Sequence, residues 1–167
     1  MAKIGIFYGS TEGNTERVAE MIQQELGSGN AEVFNVDSAT AEDVQSYENI
    51  IFGASTWEIG ELQEDWESFI DVLDDVDFAG KKVAFFGTGD ADGYPDTFVD
   101  AIGIIYEKIE NSGATFVGKV ATDDYTYDVS RGEIDGVFIG LPIDEDNEPD
   151  KTAGRVKKWV AKLREEF

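Results

Sequence analysis

The sequence contains no cysteine and no histidine. Without cysteine there can be no disulfide, thiol nucleophile or iron–sulfur cluster held by thiolates. Without histidine there is no Ser-His-Asp triad, no imidazole acid–base pair and no ordinary zinc centre. Basic residues are also scarce: 13 Lys and Arg stand against 36 Asp and Glu, for a net charge of −23. Such a field repels nucleic acid and anionic membranes and draws basic partners. No run of 18 apolar residues exists, so no membrane span is expected. Met1–Tyr8 is too short for a signal-peptide apolar region and lacks a cleavage pattern, so a cytoplasmic protein is the expectation. Chemistry is therefore left to carboxylates, hydroxyls, backbone groups or a borrowed cofactor.

What is present is enough for a core. The chain has 167 residues, 41% of them hydrophobic, which suits one domain over residues 1–167 on a prior of roughly 150 residues per domain. The charge is segregated. Residues 151–167 carry six cations against Glu165 and Glu166, a net +4, which leaves −27 on the remainder. The resulting dipole can orient an encounter with a partner.

Apolar runs alternate with helix-period stretches. Ile4–Tyr8, Ala31–Val36, Ile50–Ala54, Lys82–Gly87 and Thr115–Val120 read as strands. Thr15–Leu26, Glu64–Leu73, a segment holding Phe98, Ile102, Ile105 and Ile109, and Thr152–Phe167 read as helices. This alternation predicts an α/β fold with a parallel sheet covered on both faces. Residues 121–136 have no helical period and precede an apolar run, Val137–Ile143, so they read as an insertion that splits the last strand. Ligands in such sheets sit beyond the carboxyl ends of the strands, which singles out three loops.

The first loop, Gly9-Ser10-Thr11-Glu12-Gly13-Asn14-Thr15, joins a strand to a helix start. Free N–H groups and the helix dipole there accept phosphate, and the hydroxyls of Ser10, Thr11 and Thr15 and the Asn14 amide add neutral donors. With no Lys or Arg, and neither a Walker nor a dinucleotide glycine pattern, the loop suits a phosphate monoester, or is simply a capped helix turn. The second loop, residues 55–63, places Trp57 at the sheet mouth, as a stacking face or a core residue. The third, residues 88–96, places Tyr94 where a second stacking face is wanted; it also reads as a polar turn or a cation loop of Asp90, Asp92 and Asp96, without the EF-hand pattern.

The motifs F-Y-G-S-T-E-G-N-T-E (7–16), T-W-E-I-G-E-L-Q-E-D-W (56–66), F-F-G-T-G-D-A-D-G-Y (85–94) and L-P-I-D-E-D-N (141–147) resemble those of the flavodoxins, specifically the long-chain group. The resemblance covers essentially the whole chain. It implies a doubly wound five-stranded parallel sheet in order 2-1-3-4-5, non-covalent FMN and one-electron transfer between redox proteins, without a substrate-turnover site. It implies that Ser10, Thr11, Glu12, Gly13, Asn14 and Thr15 hold the phosphate, that Trp57 and Tyr94 flank the flavin, and that Thr56 and Thr88 lie beside it. Gly89 and Asp90 then offer backbone groups to the ring edge, Asp146 faces the ribityl hydroxyls, and the turn at Glu58, Ile59 and Gly60 carries the peptide that rotates toward N5. The same resemblance implies a low-potential carrier shuttling between semiquinone and hydroquinone, and a monomer serving basic redox proteins of the NADP reductase, photosystem I or nitrogenase type.

The chain departs from that pattern at three positions. Glu12 stands where Thr or Ser is usual, Ser55 where Pro is frequent, and Glu58 where Gly or Asn is. A carboxylate at position 12 repels a phosphate and removes a hydroxyl, so Glu12→Thr is expected to tighten FMN binding; an unchanged affinity in a fluorescence titration shows the side chain to be remote. Two rivals share the fold. A reductase using NAD(P)H lacks a recognisable pyridine-nucleotide site here. A response-regulator receiver needs acids after strand one and an acceptor Asp after strand three, where this chain has Gly9-Ser10 and Ala54-Ser55.

Overall fold

The computed structural model describes residues 3–11, 13–57 and 60–167. The chain runs β1 (Ile4–Tyr8), α1 (Asn14–Leu26), β2 (Ala31–Asn35), α2 (Ala41–Gln45), β3 (Asn49–Trp57), β4 (Glu61–Leu62) and α3 (Glu64–Phe69), then a 3₁₀ turn, Ile70–Asp75. It continues through β5 (Lys82–Thr88), α4 (Asp100–Ile109), β6 (Thr115–Phe116), β7 (Val120–Ala121), β8 (Glu133–Ile134), β9 (Val137–Phe138), β10 (Leu141–Ile143) and α5 (Thr152–Glu166). The main sheet has the order β10-β5-β3-β1-β2, and every neighbouring pair in that path is parallel. This is the expected 2-1-3-4-5 order.

Side-chain alternation along the strands builds two cores. Ile4, Ile6 and Tyr8 of β1, Ile51 of β3, and Ala84 and Phe86 of β5 face Val18 and Ile22 of α1 and Val156, Trp159 and Leu163 of α5. Phe7, Phe52, Val83 and Phe85 face the other way, toward Trp66, Phe69 and α4. Strands buried on both faces explain the unbroken apolar runs in the sequence.

The last strand is split as expected. β6 pairs with Lys82 and Val83 at the start of β5, and β10 pairs with Phe86, Gly87 and Thr88 at its end. Between them lies a small antiparallel sheet in the order β7-β9-β8. This corrects the expected boundaries at both ends. Val120 belongs to the small sheet rather than to the fifth strand, and Val137–Ile143 is not one run, because Val137 and Phe138 pair antiparallel with β7 and β8. Pro142 sits within β10, which a sheet edge tolerates because the missing N–H faces no further strand.

Two helical expectations also change. α4 starts at Asp100 behind Val99, whose left-handed φ of 49° breaks the helical path, so Phe98 lies ahead of the helix. The sequence reading had no helix at Ala41–Gln45. Thr40 caps it with a reciprocal pair: its hydroxyl accepts from Asp43 N and the Asp43 carboxylate accepts from Thr40 N.

The insertion is strapped to the loop that carries Tyr94. Asp128 N and Val129 N both donate to Pro95 O, at 2.8 and 3.0 Å. The Ser130 hydroxyl donates to Phe98 O, and Arg131 N donates to Asp100 Oδ1 at 2.8 Å. Tyr125 and Tyr127 pack on the Phe98 ring, with centroids 6.0 and 5.8 Å away.

Candidate functional site

An open cleft of about 240 Å³ lies beyond the carboxyl ends of β1, β3 and β5. Its walls come from all three loops singled out by the sequence and from the segment after β10.

The first wall is the start of α1. Gly13 stands at the N-cap in the left-handed region, at φ 94°, and among the described residues no side chain caps the helix. A Ser, Thr, Asp or Asn at a helix start normally accepts one of the first-turn N–H groups. Here those donors are left to an outside acceptor, with the positive end of the helix dipole behind them. The hydroxyls around them are held in place. Ser10 Oγ accepts from Gly13 N at 3.0 Å, Thr11 Oγ1 accepts from Gln63 Nε2 at 2.9 Å, and the buried Thr15 hydroxyl bonds that of Thr88 at 2.8 Å. The Glu16 carboxylate in the first turn accepts from the Tyr8 hydroxyl at 2.6 Å. Asn14 also lines the cleft, its Oδ1 accepting from Arg17.

The second wall is the end of β3. Trp57 is half-buried, and its indole N–H donates to Ser55 Oγ at 3.0 Å. Thr56 Oγ1 accepts from Ala101 N at 2.9 Å, which fixes the strand end to α4. Tyr94 lines the same cleft, 53% exposed and anchored by its N–H on Asp90 O at 2.9 Å. Two aromatic faces thus border one cleft, the arrangement that a flat ring requires.

The third wall is acidic. Asp90 Oδ1 accepts from Gly93 N and from Asn147 Nδ2, both at 2.8 Å, and these bonds, the Gly93 one foremost, hold its carboxyl below the usual range. Buried Asp144 accepts from Ala91 N, Asn147 N and Asn147 Nδ2, so Asn147 ties the Tyr94 loop to the segment after β10. The carboxylates that gather are Asp90, Asp144 and Asp146, with oxygens within 4.8 Å of one another, and not the 90, 92, 96 set that the loop spacing offered.

Of the residues expected at the site, Ser10, Thr11, Asn14, Thr15, Thr56, Trp57, Thr88, Gly89, Asp90, Tyr94 and Asp146 line the cleft together. Gly13 shapes the helix start without lining it. Gly60 sits behind the Trp57 turn at φ 78°, where an added Cβ would fall 2.8 Å from Asp100 Oδ2, so only glycine suits both its backbone and its space. Glu12, Glu58 and Ile59 lie outside the described residues. Sequence reasoning missed Ser55, Thr97, Phe98 and Glu145 in the lining. Glu145 lay inside the quoted 141–147 motif, and Ser55 beside Trp57, so the signal for these two was adjacency.

Asp100 links the insertion to the Gly60 turn. It is 5% exposed, and burial raises its carboxyl above the usual range, offset in part by the Arg131 N–H. A raised value in the folded state means that ionisation opposes folding as pH rises from the unfolded value, near 3.9, through the folded one. Asp100→Asn keeps an acceptor for Arg131 N and removes the charge. The wild type should therefore lose stability relative to this variant as pH rises above about 4, in urea melts at matched pH. A difference that stays flat from acid to neutral pH refutes the burial effect.

The residues present fit a phosphate monoester joined to a planar ring. The helix start and the Thr and Ser hydroxyls would hold the phosphate, and the aromatics would hold the ring. Known proteins agree. A family model described as Flavodoxin matches residues 6–159. The chain belongs to the flavodoxin family. A flavodoxin of Nostoc sp. is 50% identical over 165 residues, covering 99% of this chain and 97% of its own. Flavodoxin 1 of Escherichia coli K12 is 46% identical over 168 residues, covering 100% and 96%. A Fusobacterium nucleatum flavodoxin, whose crystal structure is described as bound to flavin mononucleotide, superposes with a TM-score of 0.94 at 30% identity, covering 100% of this chain and 99% of that one. The split last strand and its small antiparallel sheet place the chain with the long-chain members of the family. Among the described residues no helix is long and apolar enough to cross a membrane.

Proposed function

We propose that the chain acts as one domain, binds FMN non-covalently in this cleft and carries single electrons at low potential, cycling between semiquinone and hydroquinone. The observation that carries the reading is that the start of α1, with no side-chain cap among the described residues, and two aromatic residues line one cleft. FMN supplies the redox chemistry; the protein binds it, orients it and sets the field around it. Among the described residues the lining carries no cation and includes the carboxylates of Asp90, Glu145 and Asp146. Each carboxylate about 10 Å from a developing negative charge opposes it by roughly 1.7 kcal/mol at an effective dielectric near 20, or about 70 mV for one electron before salt screening. The buried Thr15–Thr88 pair and the Asn147 bridge hold the loops in register, so little reorganisation is needed on electron arrival. No general acid, base or nucleophile is needed, which supports a carrier rather than an enzyme.

The acidic surface supports basic redox proteins as donor and acceptor, of the NADP reductase, photosystem I or nitrogenase type, met by a cytoplasmic monomer. Anaerobic potentiometric titration of the FMN-loaded protein tests the redox reading. Two well-separated couples, the second far below that of free flavin, are expected, with a blue intermediate. Two close couples near the free-flavin value refute it.

A further inference from the structure

We propose that a second groove, between the insertion and α5, binds small amphipathic monoanions: an aromatic or aliphatic body bearing one carboxylate or sulfonate. The groove encloses about 400 Å³, within the usual range for drug-sized ligands, about 300–1,000 Å³. It shares no lining residue with the FMN cleft. Its floor is carbon: Val120, Leu141 and the Trp159 ring, whose indole N–H is already spent on Gly118 O at 2.8 Å. Around this floor stand Lys119, Lys158, Lys162 and Arg155. The whole chain has 13 cations in a net charge of −23, so four at one groove make it a basic recess in an acidic molecule. These cations draw an anion to the groove.

Arg155 supplies the independent observation. It is 9% exposed, with its guanidinium 4.2 Å from the Tyr125 ring centroid. Nη2 donates to Asp124 O, Asp124 Oδ2 and Glu148 Oε1, each at 3.1 Å, whereas Nε and Nη1 have no acceptor among the described residues. A buried donor left unpaired is destabilising, and more so on a charged group. An anionic head entering beside Arg155 provides the acceptor that the chain does not. Asp123 and Asp124 also line the groove, which disfavours polyanions such as nucleotides and selects a single negative charge.

The test uses the full chain loaded with FMN, so that the other cleft is filled, and 2-naphthoate as probe. Calorimetry and the Trp159 indole N–H resonance follow the titration, with neutral 2-naphthamide as control. Saturable one-to-one binding that moves this resonance is expected, with the amide about tenfold weaker. Exposed Lys119 and Lys158 allow a K119E/K158E variant that should weaken naphthoate about tenfold or more while leaving the flavin spectrum unchanged. Three results overturn the proposal: no shift of the indole resonance up to about 5 mM probe, equal affinity for acid and amide, or full affinity in the double variant.

Discussion

Trp66→Ala is expected to lower folding stability by about 3–5 kcal/mol, the usual cost of truncating a large buried aromatic. Trp66 is fully buried on α3. Its indole N–H donates to Gly53 O at 2.7 Å, and its ring meets Phe52 and Phe69 edge-on at 5.4 and 5.5 Å. It also lies under the loop between β1 and α1, since a Cβ placed on Gly9 would fall 2.7 Å from Trp66 Cδ1. At about 2–4 °C per kcal/mol for a chain of this size, the melting point of the cofactor-free protein should drop by about 6–20 °C. Trp66→Phe keeps most of the apolar volume, and Gly53 O still accepts from Gly9 N at 3.2 Å, so that variant should lose less than half as much. A loss below about 1 kcal/mol in Trp66→Ala, by denaturant melts followed by circular dichroism, rejects the assigned packing role.

Trp57→Ala should weaken FMN binding by a factor of roughly 5 to 150, since stacking on an aromatic face contributes about 1–3 kcal/mol. Trp57 is held in place by Ser55, so its ring is oriented in advance and little entropy is lost when a ligand stacks on it. It is only half-buried, so the cofactor-free protein should melt close to the wild type. Titrating the cofactor-free protein with FMN and following the quenching of flavin emission gives both affinities. A change below twofold would mean that Trp57 does not face the ring.

Much of the fold is legible because burial on both faces turns each parallel strand into an apolar run bounded by glycine or polar residues, as in Ile4–Tyr8 and Lys82–Gly87. The cleft is legible because its loops follow strands whose ends share one edge of the sheet. What stayed hidden is tertiary. An apolar run does not reveal that Val137 and Phe138 turn away to a second sheet while Leu141 returns to the first. The Thr40–Asp43 capping box was present in the sequence, but its helix has too few residues to show a period. The hold of Asn147 on Asp90 and of Arg131 on Asp100 spans 57 and 31 residues, so nothing local announces either.

The cleft draws on residues from Ser10 to Asp146, and its last wall hangs on β10, which can form only after the insertion has been laid down. No fragment much shorter than the chain can therefore assemble it, and its ligand recognises the finished fold alone. Any such ligand shifts the folding equilibrium by mass action, by about 2.7 kcal/mol when present at one hundred times its dissociation constant. The supply of FMN in the cell then governs how much of this protein persists, as well as how much of it can carry charge.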